Sequence, residues 1–148
     1  MANAVEFHSG IADKLGYACR LLRKAQAQGA RVVVTGDAQA LRALDERLWT
    51  FEPLSFVAHA LLQPGRPVPE RLLQPTPIWL VEPGAEPPHR EVVLNLGPQA
   101  LPDAAACGRL IEIVADDAAE RAAGRQRWRA YEAQGCTIRH HAKPGATA

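Results

Sequence analysis

The chain has 148 residues, a length that suits one domain able to bury a core of its own. Its 47% hydrophobic and 22% charged residues fit a soluble globular protein, and no apolar run approaches the ~18 residues of a membrane span. A formal net charge of +1 excludes a molecule that holds nucleic acid by its total charge, so an acidic partner must be met by local charge.

Ala4 to Phe7 is a short β-prone run ended by Ser9-Gly10. From Asp13 the pattern turns helical, with Leu15, Ala18, Cys19, Leu22 and Ala25 at steps of mostly three and four, and Gly29 as a stop. Arg31 to Thr35 is a continuous β-branched run that suits a strand buried on both faces. Gly36-Asp37 turns the chain and caps a second helix carrying Leu41, Leu44 and Leu48 on one side. Phe56-Val57 and Leu61-Leu62 around His59 suit a short buried helix, and the proline-rich stretch from Gln63 to Pro77 is largely loop.

Ile78 to Val81 and Glu91 to Leu96 read as two strands, neighbours through a long hairpin-like loop. Arg109 to Val114 is a further strand. Asp116-Asp117 opens a helix that reaches about Gln134 in spite of Gly124 and stops at Gly135, and Cys136 to His140 is a last short strand. Strands alternating with helices predict a single-domain three-layer α/β sandwich, Rossmann-like, with a mostly parallel or mixed central sheet and helices on both faces. The domain is expected over residues 1–141, with 142–148 as a flexible tail.

Candidate chemistry is sparse. Thr35-Gly36-Asp37 lies between a strand and a helix but lacks both glycine-rich phosphate motifs, so no nucleotide or other cofactor is expected. Cys19, Cys107 and Cys136 are an odd, scattered set without a Cys-x-x-Cys pair, which argues against a disulfide framework or a zinc-binding motif. With no basic-apolar leader pattern at the start, they point to a reducing cytoplasm. The histidines form no His-x-x-x-His pair, and His140 and His141, being adjacent, would face opposite sides of a strand. No Gly-x-Ser-x-Gly turn marks a nucleophile, so no catalytic residue is assigned. A small nucleotide-binding or nucleic-acid-processing enzyme of α/β fold stays as the alternative class.

Two constellations are more specific. Arg121, Arg125, Trp128 and Arg129 share one side of the last helix, while Arg127 lies away from that row. Such a face suits a short acidic peptide with an apolar end, or a phosphate backbone; equally it suits a solvated basic face with Trp128 half buried. Trp49, Phe51 and Phe56 gather around Pro53 in a chain that is only 5% aromatic. They read either as core at a helix end or as anchors of a docking surface.

Several segments together resemble the chi subunit of bacterial DNA polymerase III. They are Val5-Glu6-Phe7, Lys14-Leu15 and Leu21-Leu22, then Leu44-Asp45-Glu46-Arg47-Leu48-Trp49-Thr50-Phe51 and Ser55-Phe56-Val57-Ala58-His59. Val92-Val93-Leu94-Asn95-Leu96 and Arg125-Gln126-Arg127-Trp128-Arg129-Ala130-Tyr131 follow, with Gly135 behind them. The match is collinear over nearly the whole chain. The resemblance implies a non-catalytic, cytoplasmic accessory subunit of the polymerase, associated with the clamp loader during DNA replication. It implies two partners: the psi subunit, and the acidic C-terminal tail of single-stranded DNA-binding protein, through which nucleic acid is met mainly indirectly. Trp49, Phe51, Phe56 and His59 would face psi. Arg121 and Arg125 would hold the tail, with Val114 and Trp128 as apolar walls for its terminal phenylalanine. An accessory helicase is the other partner implied for the aromatic surface.

Overall fold

The computed structural model describes residues 4–50, 59–66, 68–69, 71 and 76–142. Among the described residues, seven strands and three α-helices form a three-layer α/β sandwich: β1 (Ala4–Ile11), α1 (Lys14–Ala27), β2 (Val32–Thr35), α2 (Ala38–Thr50), β3 (His59–Leu62), β4 (Ile78–Val81), β5 (Val92–Asn95), β6 (Arg109–Ala115), α3 (Ala118–Ala133) and β7 (Thr137–Ala142). The sheet order is β3-β4-β2-β5-β6-β1-β7.

This order explains which layer each connection occupies. The chain steps outward from β1 to β2 to β3, then returns through β4, β5, β6 and β7. Right-handed crossovers must put the outward connections on one face and the returning ones on the other. Accordingly α1 and α2 pack Cys19, Leu22, Leu41, Leu44 and Leu48 against Val32, Val34, Leu80 and Ile111 on one face. On the other, α3 and the loops around Val68, Ala85 and Leu101 cover Val5, Phe7, Val33, Trp79 and Leu110.

The local reasons follow the residue types. Asp13 caps α1 by accepting from Gly16 N at 3.1 Å, Asp37 accepts from Ala40 N at 2.7 Å, and Asp117 caps α3 through Glu120 N at 2.8 Å. The β-branched run Val32–Val34 is wholly buried, as a central parallel strand requires.

Every strand pairing among the described residues is parallel, as the mostly parallel reading of the sheet expects. Three expectations need correction. Ile78–Val81 and Val92–Asn95 are not neighbours; they flank β2 on opposite sides, because their connection is a crossover rather than a hairpin. His59–Leu62 is a strand, not part of a short helix: its residues pair in register with Ile78–Val81, and Leu61 and Leu62 turn to opposite layers. Phe56 and Val57, assigned to that same helix, lie outside the described residues. Finally, β1 does not end at Ser9-Gly10 but shifts register there and pairs again at Ile11. Gly10 has φ of 72°, a conformation that glycine adopts at no steric cost, so the strand bulges instead of stopping.

Inside the α3 face lies a polar network. Glu112, in the middle of β6, is fully buried. It accepts from Arg127 Nε at 2.8 Å, from Asn95 Nδ2 at 2.8 Å and from the Tyr131 hydroxyl. Arg127 is 1% exposed and also reaches the Pro98 and Ile113 carbonyls at 3.4 and 3.5 Å. Burial drives the Glu112 carboxyl upward while the Arg127 charge and the donated hydrogen bonds draw it back, so its charge state hangs on Arg127 rather than on solvent. Replacing Arg127 by Met is expected to cost about 3–5 kcal/mol in urea unfolding, because it strands a buried carboxylate. The double replacement Arg127→Met/Glu112→Met should recover part of that loss.

Candidate functional site

The helix α3 runs over β6 and β1, and one glycine sets how closely it can lie. A Cβ on Gly124 would stand 2.8 Å from Val114 Cγ2, nearer than real side-chain contacts allow. The missing side chain lets the helix backbone rest on β6, which explains a glycine in the middle of a 16-residue helix that otherwise loses stability by it. Beside this contact a recess of about 440 Å³ opens between α3, β1 and β7.

Its apolar lining is Phe7, Val114 and Trp128. Strand alternation places Phe7 and Val114 on the α3 face. The Trp128 ring stands 5.0 Å from Phe7, tilted at 41°, and meets the His140 ring edge-on at 5.8 Å. Ser9 Oγ and His140 Nε2 are 2.6 Å apart on the β1–β7 side. Arg121, Arg125, Arg129 and Glu132 stand around the lining. All four residues expected to bind a peptide tail, Val114, Arg121, Arg125 and Trp128, therefore meet at one recess.

The cations are not equivalent. Arg121 is held by Asp116 at 2.9 Å, so part of its charge is offset locally. Among the described residues, Arg125 and Arg129 have no ion-pair partner and keep their guanidinium groups available. Phe7, Ser9, Gly124, Arg129, Glu132 and His140 also line this recess and were not among the expected site residues. Helical spacing already set Arg129 on the same side of the helix and could have added Glu132. Phe7, Ser9 and His140 required knowledge that β7 lies beside β1.

The second constellation is partly described. Trp49 is 57% exposed, the one large hydrophobic side chain among the described residues left so open to solvent. Its ring packs 4.9 Å from that of His59, whose Nε2 lies 2.8 Å from Asp45 Oδ1. Asp45 and Trp49 are one helical turn apart on α2, so both reach the start of β3. His59 thus pairs with a carboxylate beside an indole, and it is nearly buried while Trp49 is not. Phe51 and Phe56 lie outside the described residues.

Other features suit chemistry less. A cavity of about 290 Å³ opens at the carboxyl ends of β2, β4 and β5, where α/β folds commonly receive nucleotides. Glu82 and Asp103 line it, and its Arg90 is already 3.3 Å from Asp103, a charge balance that does not attract a polyphosphate. Burial, with Asp103 nearby, pushes the Cys107 thiol up to about 11, so it is a poor nucleophile. Among the described residues, no helix is long and apolar enough to cross a membrane.

Comparison with known proteins finds relatives over most of the chain. A family model described as DNA polymerase III chi subunit, HolC, matches residues 1–139. A protein named DNA polymerase III subunit chi from Pseudomonas aeruginosa is 33% identical over 132 residues, covering 88% of this chain and 87% of that protein. Its namesake from Haemophilus influenzae is 32% identical over 127 residues, covering 82% of this chain and 81% of its own length.

The close approach at Gly124 makes a direct test of the recess. Gly124→Ala is expected to lower stability by a net ~1–2 kcal/mol in urea unfolding, the overpacking against Val114 outweighing the gain in helix propensity.

Proposed function

This chain belongs to the DNA polymerase III chi subunit family, and from that premise we propose that it is a non-catalytic tether with two separate binding surfaces. At the family level it is a subunit of the replicative polymerase and serves DNA replication. The finer reading is that it joins the clamp-loader side, through the psi subunit, to the acidic C-terminal tail of single-stranded DNA-binding protein.

The observation that carries this reading is the meeting of Val114, Arg121, Arg125 and Trp128 at one recess. The charges expected there, a chain-terminal carboxylate and acidic side chains, suit the unpaired Arg125 first and Arg121 second. A guanidinium can hold a carboxylate through two parallel hydrogen bonds. A terminal phenyl ring suits the apolar floor of Phe7, Val114 and Trp128. Arg129 adds positive potential at the same mouth. Single contacts of this kind are weak and salt-sensitive, but many tails on one coated DNA strand raise the effective concentration and retain the polymerase.

For the other surface, the exposed Trp49 beside His59 supports a docking role, with Phe51 and Phe56 as its proposed companions. An exposed indole packed at a tilt against a fixed imidazole is a suitable interface anchor. Psi is the proposed occupant, with an accessory helicase as the alternative one.

Titrating a fluorescent peptide of the acidic tail against the wild-type chain and Arg125→Ala tests the first surface. A loss of roughly 10–100-fold is expected for one charge-assisted hydrogen-bonding group; unchanged affinity sinks the assignment. A pull-down tests the division of labour. Trp49→Ala/Phe56→Ala should lose psi and keep the tail, and Arg121→Ala/Arg125→Ala should do the reverse. Loss of both partners by either variant would refute two separate surfaces.

A further inference from the structure

On the sheet face opposite the recess, β1 and β7 bring together three side chains that the tether does not use. Glu6 and His8 are two residues apart on β1 and so share a face. His141 pairs in register with His8 on the neighbouring strand and adds a second imidazole to the same face. Glu6 Oε1 lies 3.7 Å from His8 Nε2 and 3.8 Å from His141 Nε2, and one ligand atom from each residue falls within 4.8 Å of the other two.

We propose that Glu6, His8 and His141 form a binding site for a borderline divalent transition metal, of which zinc is the representative. Two imidazoles and a carboxylate are an established ligand class for such ions, leaving a fourth position for solvent. In a tetrahedral zinc site, neighbouring ligand atoms stand about 3.3–3.4 Å apart, given bonds of about 2.0–2.1 Å. The two Glu6–histidine separations, 3.7 and 3.8 Å, are near that, and the two imidazoles, within 4.8 Å of each other, would have to turn toward the ion.

Two features of the His8 ring prepare the site. The buried Nε2 of His8 has no hydrogen-bond partner, so a metal would satisfy an atom that is otherwise costly to bury. The other ring nitrogen of His8, Nδ1, is engaged by the Tyr17 hydroxyl from α1. With the Tyr17 oxygen accepting, Nδ1 carries the proton and Nε2 keeps its lone pair for an ion, an outer-shell arrangement of the kind found around ligating histidines.

Arg109 is the counterweight. From β6 it donates to Glu6 Oε2 at 2.5 Å and to Oε1 at 2.9 Å. Its charge opposes the ion, and its hydrogen bonds compete for the carboxylate, which sets the site toward modest affinity. Because the ligands come from β1 and β7, an ion would also clasp the edge strand to the sheet.

Untagged full-length chain, stripped with chelator, should be titrated calorimetrically with zinc chloride and followed by visible absorption with cobalt(II). One-to-one binding and ligand-field bands of four-coordinate cobalt are expected. His141→Ala, an exposed position, should lose both while keeping its circular dichroism and melting temperature. Tyr17→Phe should weaken binding about tenfold, and Arg109→Gln should tighten it, a gain that no purely structural role of Arg109 explains. His140→Ala, on the opposite face, should bind as wild type does. Absence of one-to-one binding by the wild-type chain, or equal binding by His141→Ala, overturns the proposal.

Discussion

A single buried ion pair, Glu112 with Arg127, decides how the α3 layer sits on the sheet. The carboxylate belongs to β6, the guanidinium to α3, and the two meet with less than 2% of either exposed. Neither could be buried alone at tolerable cost. Asn95 and Tyr131 complete the hydrogen bonding, and through them the constraint spreads. Asn95 Oδ1 accepts from Thr35 Oγ1 and from Gly97 N, each at 3.0 Å, while the Tyr131 oxygen accepts from Leu101 N at 3.1 Å. Thus β2, β5, β6, α3 and the loop after β5 are registered by one set of polar atoms. The recess lies on the other side of the same helix segment, so its shape is inherited from this registration. Arg125 and Trp128 stand where they do because Arg127, between them, is fixed.

The division of α3 into a buried and an open cation row is the main thing that spacing foretold and also the main thing it underused. Arg121, Arg125 and Trp128 were placed on one side from their steps of four and three, and they do line one recess. Arg127 was set aside as off the row, when in fact it faces the core. The one hint was on another strand: a lone glutamate within Leu110-Ile111-Glu112-Ile113-Val114, where a buried carboxylate demands a cation. Nothing local says which arginine answers it. Helix caps at Asp13, Asp37 and Asp117 and the valine run of β2 were legible because their physics is local. Strand neighbours were not, since a crossover can skip strands and leaves no mark in the connecting residues. That is why β4 and β5 read as a hairpin, and why β7 could not be foreseen beside β1, although its histidines were expected on opposite faces. Their separation is visible in His140 at the recess and His141 beside Glu6.

For the proposed tether, the architecture keeps the two candidate surfaces apart. The α3 recess is built by the last crossover, between β6 and β7, whereas Trp49 and His59 belong to the outward connection that ends at β3. These lie toward opposite ends of a seven-strand sheet whose centre is dense and apolar. A tether needs little more than this: two sites far enough apart not to obstruct one another, joined by a body stiff enough to transmit load.

The two ends of the sheet also carry a cost that any open sheet must meet, because an unpaired backbone edge invites another strand. The two edges deter this differently. At one end β7 presents Thr137, Arg139, His140 and His141, all exposed, so a second copy would have to bury charge and polar rings to add itself. At the other, β3 is only four residues long and begins with a histidine tied to Asp45. A short edge gives an intruding strand few hydrogen bonds to gain. Resistance to edge-to-edge pairing thus rests on the brevity of one border strand and the polarity of the other.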